Sequence, residues 1–389
     1  MKEAVIVSAV RTPIGRCRGA LASVPAHVLG ALVVKDAVRR AGIDPERIDD
    51  VIFANLMNNE INNMGRMVAL EAGLPISVPG ITLDRQCAAS LNALAYGAIQ
   101  IMAGFAETVV VGGVESDSRR TWLLEKTETA YSVQPPRFVD IHTSPDQLGN
   151  PPMGVTAENI ARRYALSRRE LDEFSLRSHW LSATAWQEGR FDGQVVPVSL
   201  SDKKGQEIII QRDESVRPDC SLETLASLRP CFCKDGMVTA GNSSPMSDGA
   251  GALVVMERSL AEAQCLEILA VFRGYAAAGV DPNFMGLGPV PATAKLLKQT
   301  GMAVKDIELW ELNEAFAAQS LACIRDIRMD PDRVNPNGGA IALGHPLAGS
   351  GAILATKAVY DMQHRHLNNA VITFCVGGGQ GVAVLLTRE

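Results

Sequence analysis

At 389 residues the chain is too long for one ordinary hydrophobic core, and two or three domains are expected. Hydrophobic residues make up 47% and charged residues 21%, the usual balance of a soluble globular protein. The formal charge of −6 is mild, and no run of Lys and Arg interleaved with aromatics occurs, which argues against nucleic-acid binding.

The apolar stretch after Met1-Lys2-Glu3 is too short for a signal peptide and reads as a first strand. No apolar run approaches the roughly 20 residues of a membrane span. The last residues, Leu386-Thr387-Arg388-Glu389, form no peroxisomal or retention signal, so a cytoplasmic protein is expected. The eight cysteines are scattered, without a Cys-x-x-Cys pair, and Cys231-Phe232-Cys233 is too tightly spaced for a zinc knuckle. Neither a metal site nor a disulfide framework is expected.

In chain order, Val5–Val7 reads as a buried strand, and residues 26–41 as a helix with Leu29, Leu32, Val33, Ala37 and Val38 on its apolar positions. A strand runs through Ile48–Asn55, a helix through Met64–Ala72, and a short strand through Gly80–Leu83. Asp84-Arg85-Gln86-Cys87 then turns into a helix that continues to Ala103-Gly104. Thr108–Val111 is a strand expected to end in Gly112-Gly113. From about Ser116 to Met246 the chain is more polar, with a charged helical run over Glu158–Arg190 and a strand-like Glu207–Gln211. That stretch reads as an inserted, solvated subdomain. Ala250–Met256 returns to buried-strand composition.

The last third repeats the first. Gly301, then Ile307-Glu308-Leu309-Trp310-Glu311-Leu312-Asn313, echoes Gly42, then Ile48–Asn55. Ala370–Phe374 reaches Gly377-Gly378-Gly379 as Val109–Val111 reaches Gly112-Gly113. Placing Asn55 on Asn313 puts Cys87 on His345. Two fused β-α halves account for this, with corresponding loops gathered near a pseudo-twofold axis. The expected units are 1–116 with about 247–268, the insertion 117–246, and 269–389.

Four residues at strand or loop ends can carry chemistry. Cys87 stands where a helix should begin, where unsatisfied N–H groups and the helix dipole favour a thiolate. His345 sits between Gly344 and Pro346 in a small-residue bend, and can serve such a thiol as base. Cys375 is read as following a buried strand and preceding Val376-Gly377-Gly378-Gly379, a nest of amides able to hold an anion. Asn313 is either a neutral donor that polarises a carbonyl or a helix N-cap with Glu314 in the first turn.

The set Asp84-Arg85-Gln86-Cys87, Gly241-Asn242-Ser243-Ser244, Asn313-Glu314-Ala315-Phe316, Gly338–Pro346 and Cys375–Gly379 resembles the thiolase family, collinear from Ala4 to Leu386. The resemblance implies duplicated βαβ halves in a layered αβαβα fold with a helical insertion. It implies an acetyl-CoA acyltransferase of fatty acid metabolism working by ping-pong chemistry, with coenzyme A as substrate and no tightly bound cofactor. Cys87 would be acylated, His345 would take its proton, and Cys375 would protonate the departing enolate. Asn313, through a water, and His345 would stabilise the thioester oxyanion; the amides of Cys87 and Gly377 would serve the tetrahedral one. Ser244 would lie near the pantetheine, Arg217 near the nucleotide end, and Met153-Gly154 beside the acyl pocket. Family members assemble as dimers or as tetramers, the latter through the insertion.

Three positions depart from the family pattern. Asp84 stands where Asn is common, Ala88-Ala89-Ser90 replaces small-Ser-Gly, and Pro152 precedes Met153 where acetoacetyl-CoA-type members have His. The missing histidine and Gly241-Asn242-Ser243-Ser244 lean toward a degradative 3-ketoacyl-CoA thiolase of β-oxidation type. The alternative is a biosynthetic enzyme that condenses two acetyl-CoA. A decarboxylating ketoacyl-synthase would use a Cys with two His, or with His and Asn, whereas the second reactive residue here is Cys375; a non-catalytic acyl-CoA or lipid carrier would lack these four residues.

Overall fold

The computed structural model describes every residue except 1, 128, 130, 132, 133, 202, 203 and 389. Strand β1 (Ala4–Arg11) is buried along its whole length. A two-residue β2 (Gly15–Arg16) leads to α1 (Ala26–Ala41), which stops where Gly42 takes a left-handed φ of 67°. β3 (Asp50–Ala54), α2 (Met64–Glu71) and β4 (Gly80–Leu83) follow. A single 3-10 turn over Gln86–Ala88 carries Cys87 into α3 (Ala89–Ala103). β5 (Thr108–Ser116) runs straight through Gly112 and Gly113 rather than ending at them. A Cβ on Gly112 would stand 2.4 Å from the Gly251 carbonyl oxygen, so close packing, not chain reversal, explains that glycine.

The charged stretch read as one helical run is two helices, α4 (Met153–Arg163) and α5 (Arg168–Gln187). Ser167 separates them by capping α5 reciprocally with Glu170. β6 (Val198–Ser201) and β7 (Glu207–Ile210) form a small antiparallel pair, followed by α6 (Leu222–Ala226). β8 (Ser247–Glu257) and α7 (Arg258–Ala263) lead to β9 (Ala270–Gly279) and α8 (Pro289–Thr300). The chain ends with β10 (Leu309–Leu312), α9 (Ala317–Ile327), α10 (Ala340–Leu343), α11 (Ser350–Arg365), β11 (Asn369–Val376) and β12 (Gln380–Thr387).

The strand order β10-β11-β12-β9-β1-β8-β5-β3-β4 displays the duplication. Outward from the centre, β1-β8-β5-β3 and β9-β12-β11-β10 each pair antiparallel, antiparallel, then parallel. The junction itself is slight: β1 meets β9 through Val5↔Val271 and Ile6↔Ala270. β4 beside β3 has its counterpart in the parallel bridge between Trp310 and Val334.

Side-chain alternation sorts the core into layers. Val109 and Val111 of β5, and Ile372 and Phe374 of β11, join Leu91, Leu94, Ile353 and Val359 of α3 and α11 in one central core. The other faces pack outward: Val51, Phe53 and Val110 against Leu29 and Val33 of α1, and Trp310, Leu312 and Val371 against Leu296 and Cys323 of α8 and α9. Helices therefore lie outside each half-sheet and between the two, a layered α/β architecture.

Those faces move the internal repeat by one residue. Phe53 and Leu312 both point to the outer layers, so Asn55 corresponds to Glu314 and not to Asn313. A one-residue slip sends every side chain to the opposite face, and only the packed sheet resolves it. The insertion emerges from the first half and covers the second: Ala161, Leu171 and Phe174 pack on Ala317, Ala318 and Ile341. Its return is pinned by the buried Arg11–Asp213 pair, at 2.8 and 3.0 Å. Removing either partner leaves a buried charge unpaired, at about 3–5 kcal/mol.

Candidate active site

The Cys87 turn is tight and strained. Gln86 adopts a left-handed φ of 46°, uncommon for a non-glycine residue, and its N–H donates to Asp84 Oδ1 at 2.7 Å. This conformation delivers Cys87 to the start of α3, where the N–H groups of Gly377 and of Cys87 itself lie near its sulfur. Both amides favour the thiolate, but burial outweighs them and pushes the thiol up to about 11, with Glu115 and Asp84 acting in the same direction. The thiolate expected from the helix terminus is thus not the resting form; at neutral pH Cys87 is a thiol that needs a base.

Cys375 lies within β11, one residue before its end, rather than after the strand. Its thiol is buried and is held well above its ordinary value, first by burial and then by the charge of Cys87. The two thiols therefore share one site. Gly377 closes it from the second half, packed beside the Gln86 side chain.

His345 depends on Gly344, whose φ is 116° and whose added Cβ would stand 2.6 Å from Ile14 and 2.7 Å from Ser247 Oγ. The His345 N–H donates to Ser247 Oγ at 3.1 Å, and Nδ1 lies 2.6 Å from Ser350 Oγ. Nε2 is buried without a partner among the described residues. Burial alone lowers the imidazole to about 4, so it is neutral at pH 7. With Nδ1–H donating to Ser350, Nε2 offers a lone pair, which is what a base requires. At Gly351 a Cβ would lie 2.2 Å from Leu91 N, so α11 and α3 touch backbone to backbone just past His345 and Cys87. Ala352 N–H adds a 2.8 Å bond to Ser90 Oγ, and the Cys87 turn packs on both the 347–349 turn and β11.

Asn313 follows β10, its N–H bonded to Thr373 O at 3.0 Å. It is not a helix cap, because α9 begins at Ala317 with Phe316 in the cap position. Its side-chain Nδ2 and Oδ1 are both buried and unpartnered among the described residues, leaving them free to address a carbonyl. Glu314, expected in a first helical turn, instead accepts Ser178 Oγ at 2.6 Å, Asn335 Nδ2 at 2.8 Å and Ile341 N–H at 3.3 Å. It clamps the loop leading to His345 onto α5. Nothing in the sequence pattern singles out Ser247 or the clamp role of Glu314; for Ser350 the available signal is a hydroxyl five residues after His345.

Met153 opens α4 and packs on an apolar cluster that includes Met285, Phe316 and Cys375, so it does join the thiol site. Ser244 donates both its N–H, at 3.0 Å, and its hydroxyl, at 3.1 Å, to Ala315 O, tying its loop to the segment after Asn313. Arg217 is not gathered with these residues. It lines a separate cleft of about 410 Å³ together with His179, Ser243 and Pro245, the two residues that flank Ser244. The Arg217 N–H donates to His179 Nδ1 at 3.2 Å.

Among the described residues no cluster of His, Cys, Asp or Glu is arranged to hold a metal ion, and no helix is long and apolar enough to cross a membrane. Residues 4–259 match the family description "Thiolase, N-terminal domain", and residues 266–388 match "Thiolase, C-terminal domain". The chain is 44% identical, over 100% of both lengths, to the 3-oxoadipyl-CoA/3-oxo-5,6-dehydrosuberyl-CoA thiolase of Escherichia coli. It is 42% identical, over 98% of each, to the 3-ketoacyl-CoA thiolase of Bacillus subtilis. The crystal structure of the Bacillus anthracis acetyl-CoA acetyltransferase superposes with a TM-score of 0.95 at 39% identity, covering 100% of this chain and 99% of that one. Identity of this degree over the full length, on a fold that superposes from end to end, means that the chain belongs to the thiolase family.

Proposed function

We propose that this acyltransferase catalyses reversible, CoA-dependent thiolysis of 3-oxoacyl-CoA, yielding acetyl-CoA and a shortened acyl-CoA. The observation that carries the reading is the pairing of two thiols, Cys87 with the Gly377 N–H near its sulfur and Cys375 close enough to feel its charge. In this scheme His345 Nε2 takes the Cys87 proton as the sulfur attacks the keto carbon. The bond between the keto carbon and the α-carbon then breaks, and the enolate of acetyl-CoA takes its proton from Cys375. Free CoA next gives its thiol proton to Cys375 and attacks the Cys87 thioester; Cys87 leaves and is reprotonated by His345. Asn313 and His345 would face the thioester oxygen, and the amides of Cys87 and Gly377 the tetrahedral oxyanion.

Coenzyme A is substrate here, with no tightly bound cofactor required. Ser243 and Pro245 in the Arg217 cleft support a path for its arm past Ser244. The division into 1–116 with about 247–268, 117–246 and 269–389 belongs to the same reading. So does a homo-oligomer: β4 is an end strand with Ile81 51% exposed beside Ile76 at 83%, an edge suited to pairing with a second copy. Exposed Trp122 and Phe138 of the insertion would extend a dimer to a tetramer.

A second reading, condensation of two acetyl-CoA, draws on the name of the Bacillus anthracis relative; Pro152 in place of the histidine weighs against it. The test is a thiolysis series across 3-oxoacyl-CoA chain lengths, including acetoacetyl-CoA and 3-oxoadipyl-CoA, with mass spectrometry of the Cys87 peptide. Turnover with an acyl adduct on Cys87 is expected. Preference for acetoacetyl-CoA alone would favour the second reading, and absence of any adduct would refute both.

A further inference from the structure

Glu115, next to last in β5, is fully buried and forms no ion pair among the described residues. Every bond to its carboxyl comes from a neutral donor. Oε1 accepts Met57 N–H at 2.9 Å and Asn55 Nδ2 at 3.3 Å; Oε2 accepts Ala348 N–H at 3.5 Å, and Leu56 N–H also donates. Ala348 stands midway between His345 and its partner Ser350. A Cβ on Gly113, two residues before Glu115, would be 2.4 Å from Ala348 O, so the turn after His345 rests directly on β5. Glu115 also leads Asp84 among the charges acting on Cys87.

We propose that Glu115 is a positioning residue for the Cys87–His345 pair: its carboxyl clasps the turn after His345 to the 55–57 loop and, once ionised, opposes the Cys87 thiolate. This rests on the roles given above to Cys87 and His345. Burial pushes the carboxyl up to about 8, so it changes charge within the working pH range. The titratable and charged groups on the elements around it are Asp248 on β8, Asp117 and Arg119 beyond β5, Asp84, Arg85 and Cys87 on the nucleophile turn, and His345 and Cys375 from the second half. β3 contributes only Asp50, at its far end. Of the cations among them, Arg85 donates to Gln380 Oε1 at 3.0 Å and Arg119 is exposed; neither pairs with Glu115, and the field of its ionised carboxyl falls on the thiol.

The test follows iodoacetamide alkylation of Cys87 against pH in the full-length protein, read by peptide mass spectrometry. The wild-type rate should rise with pH but fall behind a single titration by about threefold beyond the Glu115 step near 8. In Glu115→Gln the lag should vanish, with alkylation about threefold faster than wild type above that step. Glu115→Asp should keep the lag while its shorter reach lowers kcat about tenfold at unchanged KM. A wild-type profile without a lag, or a lag that survives in Glu115→Gln, overturns the proposal. The wild-type profile decides even if the glutamine variant fails to fold. Alkylation requires no acyl transfer, so it stays informative if Cys87 proves not to be the nucleophile.

Discussion

Cys87 and His345 occupy corresponding turns of the two halves, each ahead of a helix in the central layer, yet their surroundings are opposite. The Cys87 turn is half-open, strained at Gln86, and flanked by the acids Asp84 and Glu115. The His345 turn is buried, takes its bonds from two serine hydroxyls, and has no charge shifting its imidazole. One folding unit used twice thus supplies an amide-lined pocket for a sulfur that becomes anionic and a dry pocket for a base that must stay neutral. Each half holds its group uncharged at rest: a thiol that ionises above neutrality and an imidazole that protonates below it. Only the pair moves a proton.

That contrast breaks most severely if the sulfur is removed. Cys87→Ala is expected to lower thiolysis by about 10⁴-fold or more and to abolish the acyl-enzyme, measured by CoA-thioester consumption and peptide mass. Ser350→Ala tests the other turn. Without the Nδ1 partner the tautomer that frees Nε2 loses its support, and kcat should fall about tenfold to a hundredfold with little change in KM.

Acid titration probes the same burial through stability. His345 and His179 are both lowered to about 4 in the folded protein, and the unfolded chain binds their protons near 6.5. Their contribution is therefore complete above pH 6.5 and is lost as pH falls toward 4, on the order of 3 kcal/mol for each histidine. Denaturant melts at both ends of that window should show the loss, and His179→Asn should remove part of it. The smallest effect is expected at Asp84→Asn. This acid is exposed and screened, so restoring the amide should lower the Cys87 pKa by about 0.3 units, read by alkylation, while sparing the Gln86 N–H bond.

Much of the site was legible as residue types in order. Cys87, Asn313, His345 and Cys375 were all named from glycine-rich bends and strand ends, and the structure brings both thiols, the histidine turn and Met153 into one region. Arg217, expected at the nucleotide end of coenzyme A, lies apart from them in its own cleft with Ser243 and Pro245. The helix-terminus argument for Cys87 had the right direction, since both amides favour the thiolate, but enclosure outweighs them. Cys375 was read as lying beyond its strand, because a glycine run after an apolar stretch looks alike whether or not the ladder continues.

From the sequence alone came what depends on local pattern: the alternation of strands and helices, their near repetition, and small residues wherever two backbones must touch. Tertiary structure decided what depends on summed burial and on faces. It shifted the repeat so that Asn55 matches Glu314, made Asn313 an open donor rather than a cap, and turned Glu314 into a clamp. It also left Glu115 as a buried acid beside Cys87. Those outcomes follow from which side of a strand is enclosed and how much water each group loses, and neither quantity exists until the layers have closed.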